Sequence, residues 1–368
     1  MRNLEDNLRD VVLGLADDAP PPHDLAAIAR SRGRGIRRRR HAAVAVAAVA
    51  LIGVTVTPYA VLREDTAPPP VTAVSPTPST APSARALPPF DARKPYELPG
   101  GAVVVALSST EEIETATGEV TAGSTHHVLL DRGADRYAEL PGDYLDVTPG
   151  PRSLVAVHDG PDAEREVVLV TADGEVRRRI PYQPVGDRPQ WSPDGDRLLI
   201  PTLEGFAVTG VRASDEIVTG PLSNCPDYCS LSWLPGGTEF AVPQRDTSVP
   251  HDEALPDPVG RLEVRSAATG EVLRELPLAG RPLGTRGWSP DGSRVLLRDR
   301  TGTIVLTEVA DGTKVAGLPG SDALFLPDGR ILVLDGEYVL LCDARGTQLE
   351  KGYLPAEFRG LAVQVGAP

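Results

Sequence analysis

Two kinds of hydrophobic pattern divide this 368-residue sequence. Residues 42–62 form one apolar stretch without a charged side chain, whereas from residue 98 onward short apolar runs alternate with turn sequences. A helix as long as the first stretch spans about 31 Å, which matches the hydrocarbon thickness of a bilayer. The first pattern therefore predicts a transmembrane helix, and the second predicts strands joined by tight turns.

Basic residues lie overwhelmingly on the N-terminal side of the apolar stretch. Seven arginines precede it, namely Arg30, Arg32, Arg34, Arg37, Arg38, Arg39 and Arg40. The positive-inside rule places the N-terminus in the cytoplasm and the C-terminal part outside. A cleaved signal peptide, a twin-arginine signal and a buried soluble helix are the alternatives. The long segment before the apolar stretch and the lack of a clear A-x-A site favour an uncleaved single-pass anchor in the cell membrane.

The segments that flank this stretch differ in composition. Residues 3–19 place apolar side chains at helical spacing, which predicts a short amphipathic helix that contacts a cytoplasmic partner or the membrane surface. Residues 63–90 are rich in Pro, Ala, Ser and Thr, as is typical of an extended stalk. The predicted organisation is a cytoplasmic segment at 1–41, a transmembrane helix at 42–62, a stalk at 63–90 and an extracytoplasmic domain at 91–368.

The C-terminal part repeats. A Pro-Gly or Pro-Asp-Gly turn that enters an apolar run begins at Leu98, Thr148, Ser192, Leu234, Ser289 and Leu326. A second, small polar turn follows each copy, so two hairpins occur in about 46 residues, which is one four-stranded propeller blade. The sequence predicts an all-β, six-bladed β-propeller. The run LAVQV at residues 361–365 has no partner in this count, so it either closes the ring or belongs to a seventh blade.

Two of these turns carry a resemblance. Trp191–Gly195 and Trp288–Gly292 both spell WSPDG, and Trp233–Gly237 and Phe325–Gly329 are degraded copies. These hairpins resemble those of TolB-type, WD40-like propellers and of the propeller domains of prolyl-oligopeptidase-like enzymes. The resemblance implies the fold and leaves the function open, because such propellers have many roles. The strict Gly-His and Trp-Asp signature of WD40 repeats is absent. Each tryptophan ends a predicted inner strand, where we expect its ring to pack between blades.

Composition indicates a source and excludes one class of partner. Three of the 37 basic residues are lysines, a bias typical of high-GC bacteria, and we assign the chain to a Gram-positive one. Residues 66–368 hold 27 Lys and Arg against 43 Asp and Glu. A domain this acidic repels phosphates, so the sequence argues against a nucleic-acid partner.

Long insertions occur at 108–125, 158–166 and 244–260. Each falls between the second and third strands of a predicted blade, on the face that also carries the connections between blades, which we name the insertion face. The insertions are acidic and predict a cationic or polar protein or envelope ligand, or else a solvated acidic surface. Their acidic residues are Glu111, Glu112, Glu114, Asp162, Glu164, Asp252, Glu253 and Asp257.

No motif for catalysis is present. The sequence lacks a G-x-S-x-G elbow, an H-E-x-x-H helix, a calcium loop and a phosphate loop, so we predict no catalytic, cofactor-binding or metal-binding residue. Cys225 and Cys229 are close enough for a local disulfide in an oxidising compartment. We expect a buried thiol at Cys342. The histidines near the insertion face are expected to be surface or packing residues: His126, His127, His158 and His251.

The sequence favours a membrane-tethered, non-enzymatic binding module with a role in signalling or in the envelope. The alternative is a tethered hydrolase or lyase that acts on glycans or peptides at the mouth of the propeller channel. Carboxylates or histidines converging in the channel would favour the enzyme, whereas a plugged channel would remove most of its support.

Overall fold

A computed structural model describes residues 84–366, except 115–119, 143, 160–165, 183, 186–187, 213, 227–228 and 253–254. The predicted cytoplasmic segment, the transmembrane helix and most of the stalk lie outside these residues. Within the described part of the chain, no helix is long and apolar enough to cross a membrane.

The described residues form an all-β structure. Its strands are β1 (Arg85–Ala86), β2 (Val103–Glu114), β3 (Val120–Asp131), β4 (Arg136–Glu139), β5 (Val147–Pro149), β6 (Leu154–Asp159), β7 (Glu166–Thr171), β8 (Val176–Ile180), β9 (Gln190–Trp191), β10 (Arg197–Thr202), β11 (Gly205–Gly210), β12 (Ile217–Gly220), β13 (Ser232–Trp233), β14 (Glu239–Arg245), β15 (Val259–Ser266), β16 (Val272–Leu276), β17 (Arg281–Pro282), β18 (Arg294–Arg298), β19 (Ile304–Glu308), β20 (Lys314–Leu318), β21 (Asp322–Phe325), β22 (Ile331–Asp335), β23 (Tyr338–Cys342), β24 (Gln348–Tyr353) and β25 (Ala362–Gly366). Short 3₁₀ turns lie at Pro99–Gly101, Thr285–Gly287 and Ala356–Phe358.

These strands form six sheets, one per blade, which are antiparallel except for the β1–β24 pair in blade 6, and this confirms the predicted six-bladed propeller. Blades 2 to 6 are consecutive four-stranded meanders, from β5–β8 to β21–β24. Blade 1 is closed by the C-terminal strand, because β25 pairs with β2 at Val104↔Val365 and Ala106↔Gln364. The unassigned LAVQV run therefore closes the ring.

The first Pro-Gly turn does not follow the prediction. The segment at Leu98 leads into β2, but the inner strand of that blade comes from the other end of the chain. An isolated bridge between Glu97 and Val103 is formed instead. The turn resembles the others in sequence because it also begins the second strand of a blade.

The other turns form as predicted, and we name the face that carries them the turn face. In blades 3 to 6 the glycine amide donates a hydrogen bond to the carbonyl three residues earlier, at 2.8–2.9 Å. These glycines have φ between 66° and 82°, a conformation that favours glycine. They are Gly195, Gly237, Gly292 and Gly329.

The core consists of apolar clusters between adjacent blades. The tryptophans pack there as expected, and each indole N–H also donates to the inner strand of the preceding blade. Trp191 donates to the Thr148 carbonyl at 2.8 Å, and Trp233 donates to the Gln190 carbonyl at 2.9 Å. Trp288 donates to the Ser232 hydroxyl at 2.8 Å.

The seam between blades 6 and 1 is held differently. β1 pairs in parallel with β24, so the sheet begins within the last residues of the segment predicted as a stalk. Phe90 packs edge-on against Tyr137 and Phe358, with ring centroids 4.9 and 5.3 Å apart. The Tyr137 hydroxyl donates to the Val104 carbonyl at 2.6 Å and accepts the Tyr96 amide. The segment around residues 85–98 therefore covers the seam between blades 6 and 1, where the ring is closed.

Candidate functional site

The insertion of blade 1 is largely a β-hairpin and not a loop. β2 and β3 remain paired out to Glu114↔Val120, so each of these strands has twelve residues, against five to eight for the second and third strands of the other blades. Most of the predicted insertion at 108–125 therefore continues the second and third strands of blade 1.

Few of the predicted acidic residues fall where the structure describes side chains. Asp162, Glu164 and Glu253 lie outside the described residues, and the side chains of residues 111–114 are not among those described. The remaining two, in the blade 4 insertion, have cationic neighbours. Asp257 is buried, with its Oδ1 3.3 Å from Arg245 Nε and 2.9 Å from His251 Nδ1. Asp252 Oδ2 lies 3.9 Å from Arg300 Nη2. Asp257 therefore links parts of the insertion to one another, whereas Asp252 lies beside the hairpin turn of blade 5.

An apolar ridge stands on the insertion face of blade 3. The two-residue turn Leu203–Glu204 joins β10 to β11, and the Leu203 side chain is 80% exposed at its tip. Gly205 has φ +145°, and a Cβ there would collide with the Gly220 carbonyl oxygen. Glycine is therefore required behind the turn, and the backbone presents Leu203 to solvent. We name this turn the Leu203 ridge.

A cleft lies on each side of the Leu203 ridge. The first, of about 530 Å³, is lined by Pro181, Tyr182, Phe206 and Pro221 together with the turn itself. The second, of about 460 Å³, is lined by Val185, Pro201, Leu222, Cys225, Pro226 and Cys229. Both clefts have a mixed polar and apolar lining, and Leu203 is the most exposed large apolar residue among those that the structure describes.

A disulfide forms one wall of the second cleft. Cys225 and Cys229 are bonded, with their Cα atoms 5.6 Å apart, which confirms the expected local bridge. Both cysteines pack against the buried cluster that contains Trp233 and Phe240. The bridge therefore fixes the connection between blades 3 and 4 beside the Leu203 ridge. Cys342 is a buried free thiol on β23, as predicted, and burial raises its pKa to about 11.

The central channel is crossed by the segment at 284–286 in blade 5. The Thr285 hydroxyl donates to the Trp191 carbonyl in blade 3 at 3.0 Å. Arg286 Nη1 donates to the Val365 carbonyl in blade 1 at 3.1 Å. Since neither blade adjoins blade 5, this segment reaches across the channel, where a cavity of about 570 Å³ is lined by residues of all six blades.

The contacts of His127 indicate a structural role. It is buried, and its Nε2 lies 2.8 Å from the Tyr144 carbonyl, which requires a proton on Nε2. Nδ1 is then the acceptor for the Ser108 hydroxyl at 2.8 Å. Burial lowers the pKa of His127 below its ordinary 6.5. The ring joins β2, β3 and the connection to blade 2.

The other predicted histidines are not brought together with it into a site. His126 is exposed, with Nδ1 3.4 Å from Glu139 Oε1. His251 faces Asp257 in another blade. Among the described residues, no group of three or more His, Cys, Asp or Glu side chains could hold a metal ion.

The sequence prediction missed the Leu203 ridge and the arginines of the channel. The ridge has a weak signal, a leucine where a hairpin turn ordinarily has polar residues, in PTLEGF at 201–206. Arg286 has no comparable signal, because its position depends on contacts between blades that are not neighbours in the ring.

No protein-family model matches this sequence, and no curated protein matches it. Among solved structures, the chain is similar to the C-terminal WD40 domain of Sif2, with a TM-score of 0.41 and 12% sequence identity. The similarity covers 73% of this chain and 77% of that one. The six-bladed assignment rests on the sheet order itself.

Proposed function

We propose that this protein is a membrane-tethered binding module whose extracytoplasmic propeller docks a protein partner on the Leu203 ridge. The observation that carries the proposal is the 80% exposure of Leu203 beside two clefts whose lining mixes polar and apolar groups. Burying a leucine is worth about 1.5–3 kcal/mol, which a monomer forfeits and a complex gains. A partner that fills the clefts would surround Leu203 and remove it from water, which is the condition under which one side chain contributes strongly to binding.

Charge supports a basic partner. Residues 66–368 carry an excess of sixteen acidic side chains, and Glu204 adjoins Leu203 at the tip of the turn. A protein that places apolar side chains in the clefts and basic side chains around them would be steered by this field. The proposal therefore commits to a protein with an apolar centre and a basic rim.

The location outside the cytoplasm is supported by two features of the chain. The arginines before residues 42–62 place the propeller on the outer side if this stretch spans the membrane. The Cys225–Cys229 bridge fits an oxidising compartment, because cytoplasmic thiols are kept reduced.

Differential co-purification tests this function. The full chain is cross-linked in native membranes and purified as wild type, as Leu203→Asp and as Leu349→Asp. Leu349 is the matched control, since it is 47% exposed on β24 of blade 6. We expect a basic protein to be recovered with wild type and with the control. We expect its recovery with Leu203→Asp to be at least about tenfold lower. Equal recovery with all three variants would refute the docking surface.

A further inference from the structure

The exposed apolar side chains of the described residues fall into two groups. One group lies on the fourth strands of blades and consists of Val176, Val272, Leu273, Val315, Leu349 and Tyr353. The other group lies on the insertion face, and its members are between 40% and 80% exposed. We name this second group the crescent, and it consists of Leu145, Val185, Leu203 and Leu255.

The crescent follows the ring from blade 1 to blade 4. Leu145 lies in the connection between blades 1 and 2, and Val185 lies in the connection between blades 2 and 3. Leu203 is in the turn of blade 3, and Leu255 is in the insertion of blade 4. Successive segments of this half of the face therefore each present one exposed apolar anchor.

The opposite half of the same face is polar. The turn at residues 299–303 of blade 5 reads DRTGT, and the turn at residues 336–337 of blade 6 reads GE. Every residue of these two turns is described, and none of them is an exposed large apolar side chain. Since all six blades share one four-stranded plan, the fold itself does not require the crescent.

Polar contacts link the first three segments of the crescent. Arg188 Nε donates to Asp146 Oδ2 at 2.5 Å, which joins the connection before blade 2 to the connection before blade 3. The Val185 amide donates to the Pro201 carbonyl at 2.9 Å, so this second connection is also bonded to the strand that precedes the Leu203 ridge. Val185 and Leu203 line the same cleft.

Further contacts extend this arrangement to blade 4. The Asn224 side chain donates to the Arg245 carbonyl at 3.0 Å, and the Arg245 amide donates to the Asn224 carbonyl at 2.9 Å. Arg245 Nε lies 3.3 Å from Asp257 Oδ1, in the insertion that carries Leu255. The anchors are therefore held in place before a partner arrives, which lowers the entropic cost of binding.

We infer that the crescent binds one extended, basic segment of the partner, an inference that rests on the proposed function. The anchors lie on separate segments whose links to one another are polar. A flat apolar surface would bury these polar links, whereas an extended chain places one side chain on each anchor and polar groups between them. A second copy of this chain does not fit, because residues 66–368 of each copy carry an excess of sixteen acidic side chains.

Photo-crosslinking in cells, followed by mass spectrometry of the cross-linked peptides, tests this footprint. A photo-reactive amino acid replaces Leu145, Leu203 or Leu255 in the full chain. Thr301, which is exposed in the blade 5 turn of the same face, is the matched control. We expect the three crescent positions to form adducts with one basic protein, at successive sites within one segment of it. We expect the yield at Thr301 to be at least about tenfold lower.

The possible outcomes separate this inference from the proposed function. Absence of an adduct at position 203 would refute the proposed function and the crescent with it. An adduct at position 203 without adducts at positions 145 and 255 would retain the Leu203 ridge and overturn the crescent. Adducts spread over several segments of the partner would overturn the extended segment. A yield at position 301 equal to that at position 203 would overturn the restriction to one half of the face.

A synthetic peptide of the cross-linked segment allows an independent measurement on the full chain in detergent. In fluorescence anisotropy, Leu145→Asp and Leu255→Asp should each weaken binding at least about fivefold, whereas Leu349→Asp should change it by less than about twofold. Because these side chains are exposed, all three variants should keep a melting temperature close to that of wild type. Unchanged affinity in both crescent variants would contradict the inference.

Discussion

The turn face and the insertion face of this propeller differ in the structural elements that form them. The turn face repeats one device, a tight turn closed by a glycine amide, directly beneath tryptophans that bond to the preceding blade. The insertion face has no common device. It carries an extended hairpin in blade 1, an ion-paired loop in blade 4 and, in blade 3, an exposed leucine beside a disulfide.

We expect the two faces to have different roles. Repeated hydrogen bonds between buried groups stabilise a fold, but they leave few groups that another protein can contact. Irregular, partly apolar segments held on a rigid ring provide specific contacts at small cost to folding. We therefore expect substitutions toward the turn face to change stability and those on the Leu203 ridge to change binding, and the experiments below rank the stability effects from large to small.

Trp233→Ala should have the largest effect. The side chain is fully buried between blades 3 and 4, and its indole N–H bonds to the Gln190 carbonyl. Loss of packing and of this bond should lower the free energy of unfolding by about 3–5 kcal/mol. Urea denaturation followed by circular dichroism measures it, with Leu349→Ala as the exposed control. A loss below about 1 kcal/mol would show that the inner strands do not depend on the tryptophans.

Lowering the pH through 6.5 should destabilise the protein at His127. Because burial depresses the folded-state pKa, the unfolded chain binds the proton more readily, and stability falls once the pH drops below the unfolded value of 6.5. The slope from this group is at most about 1.4 kcal/mol per pH unit.

His127→Gln, which can still donate to the Tyr144 carbonyl, should flatten the dependence of unfolding free energy on pH. His126→Gln is the matched control, since His126 is the exposed neighbour. The charges of Asp146 and Arg188 act on His127 in opposite directions. An unchanged slope in His127→Gln would mean that other groups produce the pH dependence.

Asp291→Asn should have a smaller effect, in a different pH window. The carboxylate accepts hydrogen bonds from the Ser289 and Ser293 hydroxyls and from the Ser293 amide, and these lower its pKa to about 2. Since the folded-state pKa is lowered from 3.8, this stabilisation is present above 3.8 and is lost as the pH falls toward 2. For an exposed turn the effect at pH 7 should be about 1 kcal/mol or less.

Thermal unfolding of wild type and Asp291→Asn at pH 7 and pH 2 measures this contribution. The difference in melting temperature seen at pH 7 should be much smaller at pH 2, where about half of the folded-state carboxylates are protonated. A difference at pH 2 as large as that at pH 7 would show that the shape of the turn, and not the charge of Asp291, is responsible.

Leu203→Ala should have the smallest effect on stability, within about 0.5 kcal/mol, because the side chain is already exposed. Urea denaturation of Leu203→Ala, measured alongside Trp233→Ala, compares the two changes in unfolding free energy. A loss of about 2 kcal/mol or more would place Leu203 in the packing of the propeller and remove the reason to regard it as a docking residue.

Local signals predicted much of this architecture, and distant contacts account for what was missed. The turns at Ser192 and Ser289 are short-range devices, so their spacing was enough to count blades. The partner of residues 361–365 could not be read locally, because β25 pairs with the other end of the propeller. Leu199 lies within β10 and is fully buried, whereas Leu203 lies in the turn that follows and is exposed, so two leucines four residues apart differ because one is in a strand and the other at its tip. Arg286 likewise acquires its role from strands in blades 1 and 3.

The most direct measurement is site-specific photo-crosslinking in cells. A photo-reactive amino acid replaces Leu203 in the full chain and, separately, Leu349, and both proteins are irradiated and compared by mass. We predict one discrete adduct with a basic protein at position 203. We also predict that this adduct does not form at position 349. The same adducts at both positions, or an adduct at position 349 alone, would contradict a docking surface on the insertion face.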